Sequence, residues 1–166
     1  MFLRNWSILW LVSLFVLGCG YHFAGTGSNL PPWIKTVYVA TWEDRSQEAG
    51  FGALIATEIR NQFERGGKLK LAPEDKADVI LTGEIVSLEQ RGLSYQSYAQ
   101  GVENRLILRA RARLTSRRDG KIIWENRSLY REETYATGSQ ADKERILEKM
   151  AYDLAEMIYH QIMEYF

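Results

Sequence analysis

A run of ten residues with strict two-residue alternation constrains the fold more than any other part of this sequence. From Arg105 to Leu114, leucine or alanine occupies every second position, and arginine or isoleucine occupies the positions between. Because successive side chains of a β-strand point to opposite faces, the pattern predicts a strand with one buried and one solvent-facing side. Sheets with one wet face are mostly antiparallel, and other elements must cover the apolar face.

The residues after this strand predict a tight hairpin. Residues 118–120 read Arg-Asp-Gly, which fits a three-residue turn with Gly120 in the left-handed conformation. This turn places Leu114 opposite Trp124, whereas a two-residue turn would place Leu114 opposite Glu125. A slip of one residue exchanges the two faces of a strand, so the apolar pair favours the three-residue turn.

Two stretches have the apolar spacing of amphipathic helices. One spans residues 48–65 and ends at Gly66-Gly67, and the other begins near Ser139 and continues to the end of the sequence. Three shorter runs predict further strands: Ile34–Thr41, Lys68–Leu71 and Asp78–Leu88. This order predicts an α+β fold, a two-layer sandwich with two helices packed on one face of a mainly antiparallel sheet of about four strands.

The N-terminal residues predict export. Residues 1–7 contain a single charge, and an apolar run follows over residues 8–17. A run this short cannot cross a hydrocarbon core of about 30 Å as a helix, so a signal peptide is predicted instead of a permanent span. The run closes with Val16-Leu17-Gly18-Cys19, which resembles the lipobox of bacterial lipoproteins. Residues 1–18 are therefore predicted to be a lipoprotein signal peptide.

Cys19 is predicted to be the lipidated first residue of the mature protein. It is the only cysteine, so no disulfide can form within the chain. Acylation gives it a role, because each buried methylene contributes about 0.8 kcal/mol and several acyl chains anchor a protein durably. The alternative is an unmodified thiol beside a signal that is cut elsewhere. By analogy with other bacterial lipoproteins, Gly20 in place of the aspartate that often retains them at the inner membrane favours the outer membrane.

The mature chain is predicted to be a tether followed by one domain. Residues 19–32 are rich in Gly, Ser, Thr and Asn and end in two prolines, which predicts a lipidated flexible tether. Residues 33–166 have the length of a single domain with one core. The sequence has 21 basic and 21 acidic residues, and this balance gives no bulk attraction to nucleic acid.

Catalytic patterns are missing from the sequence. The two histidines, His22 and His160, have no metal-ligand spacing with cysteine or carboxylates. The glycine pairs at residues 25–27 and 50–52 lack the lysine and spacing of a phosphate loop. We therefore predict no enzyme activity, no metal and no cofactor.

The wet face of the hairpin is the strongest candidate for ligand binding. An unbroken register gives it six arginines against two carboxylates, Glu125 and Glu133, and sets Arg111 directly opposite Arg127. The planar donor fork of arginine suits phosphate or carboxylate oxygens, so a polyanionic ligand is expected. The alternative is a solvated charged face. The six candidates are Arg105, Arg109, Arg111, Arg113, Arg127 and Arg131.

Two loops are candidates for contact with a partner. The stretch Arg91–Asn104 predicts a long polar connection, and it contains Tyr95 and Tyr98, which have an apolar ring and a polar tip. Such tyrosines contact a lipid or a protein wall, or they cap the edge of a core. The hairpin turn adds two basic candidates, Arg118 and Lys121.

Five motifs in this order resemble the LptE family of lipopolysaccharide-assembly lipoproteins. They are Cys19-Gly20-Tyr21-His22-Phe23, Ile34–Val39, Ala77–Gly83, Asp119–Trp124 and Leu154–Ile158. The resemblance implies an outer-membrane lipoprotein, on the periplasmic side or inside a barrel lumen. In this family the protein plugs and helps assemble the β-barrel of a partner, LptD. It also binds lipopolysaccharide during delivery to the outer leaflet. The arginine candidates would then meet lipid A phosphates or the barrel lumen.

A second resemblance leaves another function open. Val37–Ser46, followed by a helix and Ala77–Ile80, also resembles the start of small α/β lipoproteins that regulate peptidoglycan synthesis or form part of a secretion pore. Such a protein would face the periplasm. The protein that it associates with in native membranes separates these two hypotheses.

Overall fold

The structure, a computed structural model, describes residues 30–93, 103–136 and 140–166. Within these ranges the chain forms β1 (Thr36–Val39), β2 (Glu43–Asp44), α1 (Phe51–Gly66), β3 (Lys70–Leu71), β4 (Val79–Leu93), β5 (Glu103–Ser116), β6 (Ile122–Ala136) and α2 (Gln140–Tyr165). The predicted signal peptide, Cys19, the tether up to residue 29, Tyr95, Tyr98 and Ser139 lie outside the described residues. In the described ranges, no helix is long and apolar enough to cross a bilayer.

The strands form one mixed sheet with the order β3-β1-β4-β5-β6, and β2 also pairs with β4. β1 is parallel to β3 and β4, and β2 is parallel to β4, whereas the long strands β4, β5 and β6 are antiparallel. The α+β class with two helices is as predicted. The sheet is corrected from mainly antiparallel with about four strands to mixed with about six. The crossover through α1 brings β1 and β3 parallel, and β3 lies within the predicted run Lys68–Leu71. β2 was not predicted, because its two residues are too few for an alternating pattern.

The β5–β6 turn has four residues, 117–120, instead of the predicted three, because the Ser116 N–H donates to the Lys121 carbonyl at 2.8 Å and Thr115 pairs with Ile122. A register shift at Ile123 restores the predicted apolar pair. Gly120 has a φ of 69°, in the left-handed region, and Leu114 pairs with Trp124. The predicted long connection between β4 and β5 is shorter than expected. β4 continues to Leu93 and β5 starts at Glu103, because backbone pairing extends the two strands into polar sequence.

One core joins both helices to one face of the sheet. The α1 side chains of Ile55, Ile59 and Phe63 and the α2 side chains of Met150, Leu154 and Ile158 are fully buried. The Phe63 and Tyr159 rings meet edge to face with centroids 5.3 Å apart, which joins the two helices. α1 begins at Phe51, three residues after the predicted start, because Gly50 before it has the left-handed conformation.

The carboxylate of Asp78 links the starts of β1 and β4 by hydrogen bonds. Its Oδ2 accepts hydrogen bonds from the backbone N–H of Lys35 at 2.9 Å, the backbone N–H of Thr36 at 3.0 Å and the Thr36 hydroxyl at 2.8 Å. The bond from the Lys35 N–H is the largest cause that holds the pKa of Asp78 below its ordinary value. All three bonds favour the ionised carboxyl, so this junction depends on its charge.

We expect Asp78→Asn to lower the free energy of unfolding by about 1–3 kcal/mol at pH 7, because charge-assisted hydrogen bonds weaken. A pKa that is lower in the folded state adds stability above the unfolded pKa of about 3.9, and this stability is lost as the pH falls through the folded pKa. Urea unfolding of both proteins between pH 7 and pH 2 should therefore show the difference shrinking below about pH 4. A difference that stays constant with pH would contradict this role.

Candidate functional site on the open face of the sheet

The face of β4, β5 and β6 opposite the helices carries most of the predicted arginines. On β5 the alternate residues that face the helices are buried: Leu106, Leu108, Ala110, Ala112 and Leu114. Arg109, Arg111 and Arg113 are exposed on the other side, as the alternation predicts, whereas Ile107 on that side is only 5% exposed. We call this side the arginine face, and it includes Arg105, Arg109, Arg111, Arg113 and Arg127.

A β-bulge in β6 changes which of its residues belong to this face. The pairing slips by one residue at Arg111, which lies opposite both Arg127 and Ser128. Beyond the bulge, each β6 side chain points to the face opposite the one that an unbroken strand would give it. The predicted direct pair of Arg111 and Arg127 is therefore wrong.

Arg131 and Glu133 lie beyond the bulge, so their predicted place on the arginine face is wrong. Arg131 Nη2 donates to the backbone carbonyl of Asp153 on α2 at 3.2 Å. Glu133 forms an ion pair with Lys149 on the same helix. Both side chains therefore help to attach α2 to β6.

Tyr130 and Glu132 occupy the positions on the arginine face that were predicted for Arg131 and Glu133. The guanidinium carbon of Arg109 lies 5.9 Å from the centroid of the exposed Tyr130 ring. Glu132 Oε1 lies 3.1 Å from Arg105 Nη1, and Glu132 Oε2 accepts a hydrogen bond from the Tyr130 hydroxyl. That bond is the largest cause that raises the pKa of Tyr130.

A second register shift, in β4 at Val86, brings another carboxylate to the face. Beyond it Ser87 pairs with Arg109. Glu89 then accepts a hydrogen bond of 2.7 Å from Arg91 and another of 2.8 Å from Arg109. These two cations, Arg91 above all, lower the pKa of Glu89.

Glu84 of β4 is the most enclosed charged group of the arginine face. Only 7% of this residue is exposed, and its carboxylate accepts from Arg111 Nε at 2.6 Å and lies 2.9 Å from Arg45 Nε. The three side chains border a shallow polar depression of about 300 Å³, together with Arg113. Glu43 and Glu125 also line the depression, so three arginines and three glutamates surround it.

Arg113 and Arg127 are both exposed on this face, and 76% of the Arg127 side chain is accessible. Arg127 Nε donates to Glu125 at 2.8 Å, a pair of neighbours on the same strand. Arg113 has no carboxylate partner among the described residues and lies at the edge of the depression. Exposed ion pairs contribute about 0–1 kcal/mol, so an incoming anion can displace such glutamates at low cost.

Arg118 and Lys121, the two basic loop candidates, lie away from the depression, in the β5–β6 turn. Arg118 stacks over the Trp33 ring at 5.8 Å, and Lys121 lies 3.4 Å from Asp119. The described ranges contain no group of three His, Cys, Asp or Glu side chains able to hold a metal.

Sequence reasoning missed the acidic partners on β4. In β4, polar Thr82 and Glu84 alternate with Leu81 and Gly83. This signal in the sequence placed Glu84 on the wet face of the strand. Glu89 had no such signal, because the irregularity at Val86 reverses the faces before it.

Comparison with known proteins identifies a family and a fold. A family model described as lipopolysaccharide-assembly, LptE, matches residues 34–162. No curated protein matches the sequence. Among solved structures, the protein XCC0632 of Xanthomonas campestris is similar with a TM-score of 0.58 at 12% identity, and the match covers 81% of this chain and 89% of that one.

Two further structures have a similar fold. A putative lipoprotein from Caulobacter crescentus gives a TM-score of 0.51 at 17% identity, with coverage of 75% of this chain and 89% of that one. The PelC dodecamer from Paraburkholderia phytofirmans gives 0.51 at 14% identity, with coverage of 80% and 92%. At such low identities the similarity shows the fold alone.

Proposed function

This chain belongs to the LptE family of lipopolysaccharide-assembly proteins, and on that basis we propose that it is an outer-membrane lipoprotein anchored through Cys19. It plugs and helps assemble the barrel of an LptD-like partner, and it binds lipopolysaccharide during delivery to the outer leaflet. The family relationship supports a role in lipopolysaccharide assembly. The partner, the anchor and the ligand contacts are our proposal.

The observation that carries the proposal is the group of accessible arginines around the depression. Arg45 and Arg111 share the single carboxylate of Glu84, and Arg113 beside them has no acidic partner in the described chain. Guanidinium groups bind phosphate oxygens with two parallel hydrogen bonds, so this cluster suits the phosphates of lipid A.

The alternating charges of the arginine face also suit a plug. The lumen of an outer-membrane barrel is polar, and a protein that fills it needs a surface of the same character. The glutamate partners on β4 and β6 supply acceptors, and the arginines supply donors. The helices on the opposite face keep this surface rigid by packing the core behind it.

Capture of the full chain by a C-terminal tag from gently solubilised native membranes tests the proposal. We expect an LptD-like barrel and lipopolysaccharide to co-purify, and the intact mass should correspond to cleavage before Cys19 with acyl chains attached. An unrelated tagged outer-membrane lipoprotein serves as the control. Recovery of a peptidoglycan synthase or of a homo-oligomeric ring without the barrel would favour the second hypothesis and contradict the first.

A further inference from the structure

Half of the exposed large hydrophobic side chains in the described chain lie at one end of the molecule. They are Trp33, Ile122 and Tyr165, with exposures of 38%, 50% and 62%. We call this end the hairpin end, because the β5–β6 turn lies there. Solvent-exposed apolar side chains gathered at one place indicate a surface that meets another phase or molecule.

The strand pairing places the first two of these residues together. Trp33 comes three residues before β1, which runs parallel to the beginning of β4. Val79, the first residue of β4, pairs with Ser116 at the end of β5. The β5–β6 turn connects Ser116 to Ile122, the first residue of β6. The beginnings of β1, β4 and β6 therefore share one end of the sheet.

Contacts between α2 and β6 place Tyr165 at the same end. Lys149 meets Glu133 near the far end of β6, whereas Gln161 accepts a hydrogen bond of 2.8 Å from Asn126 near its beginning. α2 therefore runs antiparallel to β6, and its last residue, Tyr165, lies beside the start of that strand.

The hairpin end also carries two neighbouring arginines, Arg117 and Arg118, close to the ring of Trp33. Arg118 stacks over Trp33, and Arg117 Nε donates to the carbonyl of Ala77 at 2.6 Å. With Asp78 these side chains border a hollow of about 210 Å³. Asp119 is paired with Lys121, and the Asp78 Oδ2 accepts three hydrogen bonds, so the two guanidiniums remain available to an anionic group.

The tether joins the domain at this end. The described chain begins at Leu30, three residues before Trp33. Trp33 comes fourteen residues after Cys19, and an extended chain of that length spans at most about 50 Å. A lipid on Cys19 would therefore hold the hairpin end nearer to the bilayer than the opposite end of the long strands.

We infer that the hairpin end lies against the phospholipid surface of the membrane that holds the lipid anchor. Trp33, Ile122 and Tyr165 sit among the headgroups, where amphipathic aromatic side chains are enriched. Arg117 and Arg118 face lipid phosphates, which attract basic residues near a membrane surface. This inference rests on the anchor in the proposed function, and it concerns the end of the domain that carries the tether, not the arginine face that we propose meets the barrel lumen.

Fluorescence quenching tests this contact, because Trp33 is the exposed tryptophan of the described chain. Trp42 and Trp124 are only 3% and 7% exposed. The full-chain lipoprotein is reconstituted into vesicles of phosphatidylethanolamine and phosphatidylglycerol whose acyl chains carry bromine close to the headgroup. We expect brominated vesicles to quench the wild-type emission, and Trp33→Phe to lose most of that quenching. Flotation of the vesicles reports the anchor separately.

A charge-reversal pair provides a second readout. Arg118→Glu should reduce the Trp33 quenching, whereas Arg145→Glu, at the opposite end, should leave it unchanged. Protein that floats but shows no Trp33 quenching overturns the inference and leaves the anchor standing. Protein that fails to float overturns the anchor and the inference together, and quenching that persists in Trp33→Phe overturns the inference alone.

Discussion

Replacing Gly83 by alanine is expected to lower the free energy of unfolding by about 3 kcal/mol, at the upper end of the cost of overpacking a core. A Cβ at this position would lie 2.1 Å from Trp42 Cε2 and 2.4 Å from both Cδ2 and Cζ2. Trp42 is 3% exposed and packs in the core, so its ring has little room to move. The indole occupies the space that a side chain at position 83 would need.

Urea unfolding of Gly83→Ala beside Gly92→Ala isolates this contact. Gly92 lies on the same strand, and its Cβ would meet only Asn104 Oδ1, at 3.8 Å. We expect Gly92→Ala to change the free energy of unfolding by no more than about 0.5 kcal/mol. A double variant with Trp42→Ala should cost less than the sum of its single changes, because the added methyl group fills part of the cavity. Equal effects at both glycines would contradict this packing.

Reversal of Arg109, Arg113 and Arg127 to glutamate is expected to weaken lipopolysaccharide binding by the full chain at least about a hundredfold. Each charge-assisted hydrogen bond contributes about 1.5–3 kcal/mol, and about 1.4 kcal/mol is a factor of ten in affinity. These three side chains are exposed on the arginine face, so their loss spares the core. Binding of purified lipopolysaccharide to the protein in detergent measures the effect, and circular dichroism checks the fold.

A matched reversal on the other side of the molecule controls for net charge. Arg65, Lys68 and Arg145 are exposed outside the arginine face, and their change to glutamate should leave most of the binding intact. An equal loss with both sets would show that overall charge, and not this face, attracts the ligand. Unchanged binding after the first reversal would remove the arginine face from the mechanism.

Local pattern was sufficient to predict the central strand, the position of the hairpin and both helices. The alternation from Arg105 to Leu114 records which side of β5 is wet, and the matching of apolar residues across the hairpin predicts the pairing of Leu114 with Trp124. Such features depend on neighbouring residues along the chain, so a single sequence contains them. The family resemblance, which the family match confirms, came from the same short motifs in order.

The sequence by itself therefore determined the α+β class, the position of the arginine-rich strand and the membership of the family. The tertiary structure decided which charges meet. The bulge at Arg127 and Ser128 sends Arg131 to the helices and brings Tyr130 to the open face, and the shift at Val86 turns Glu89 toward Arg109. The residue types of a strand do not reveal a bulge, yet the extra residue reverses the face of every later side chain. Whether a bulge forms depends on packing against distant strands and helices.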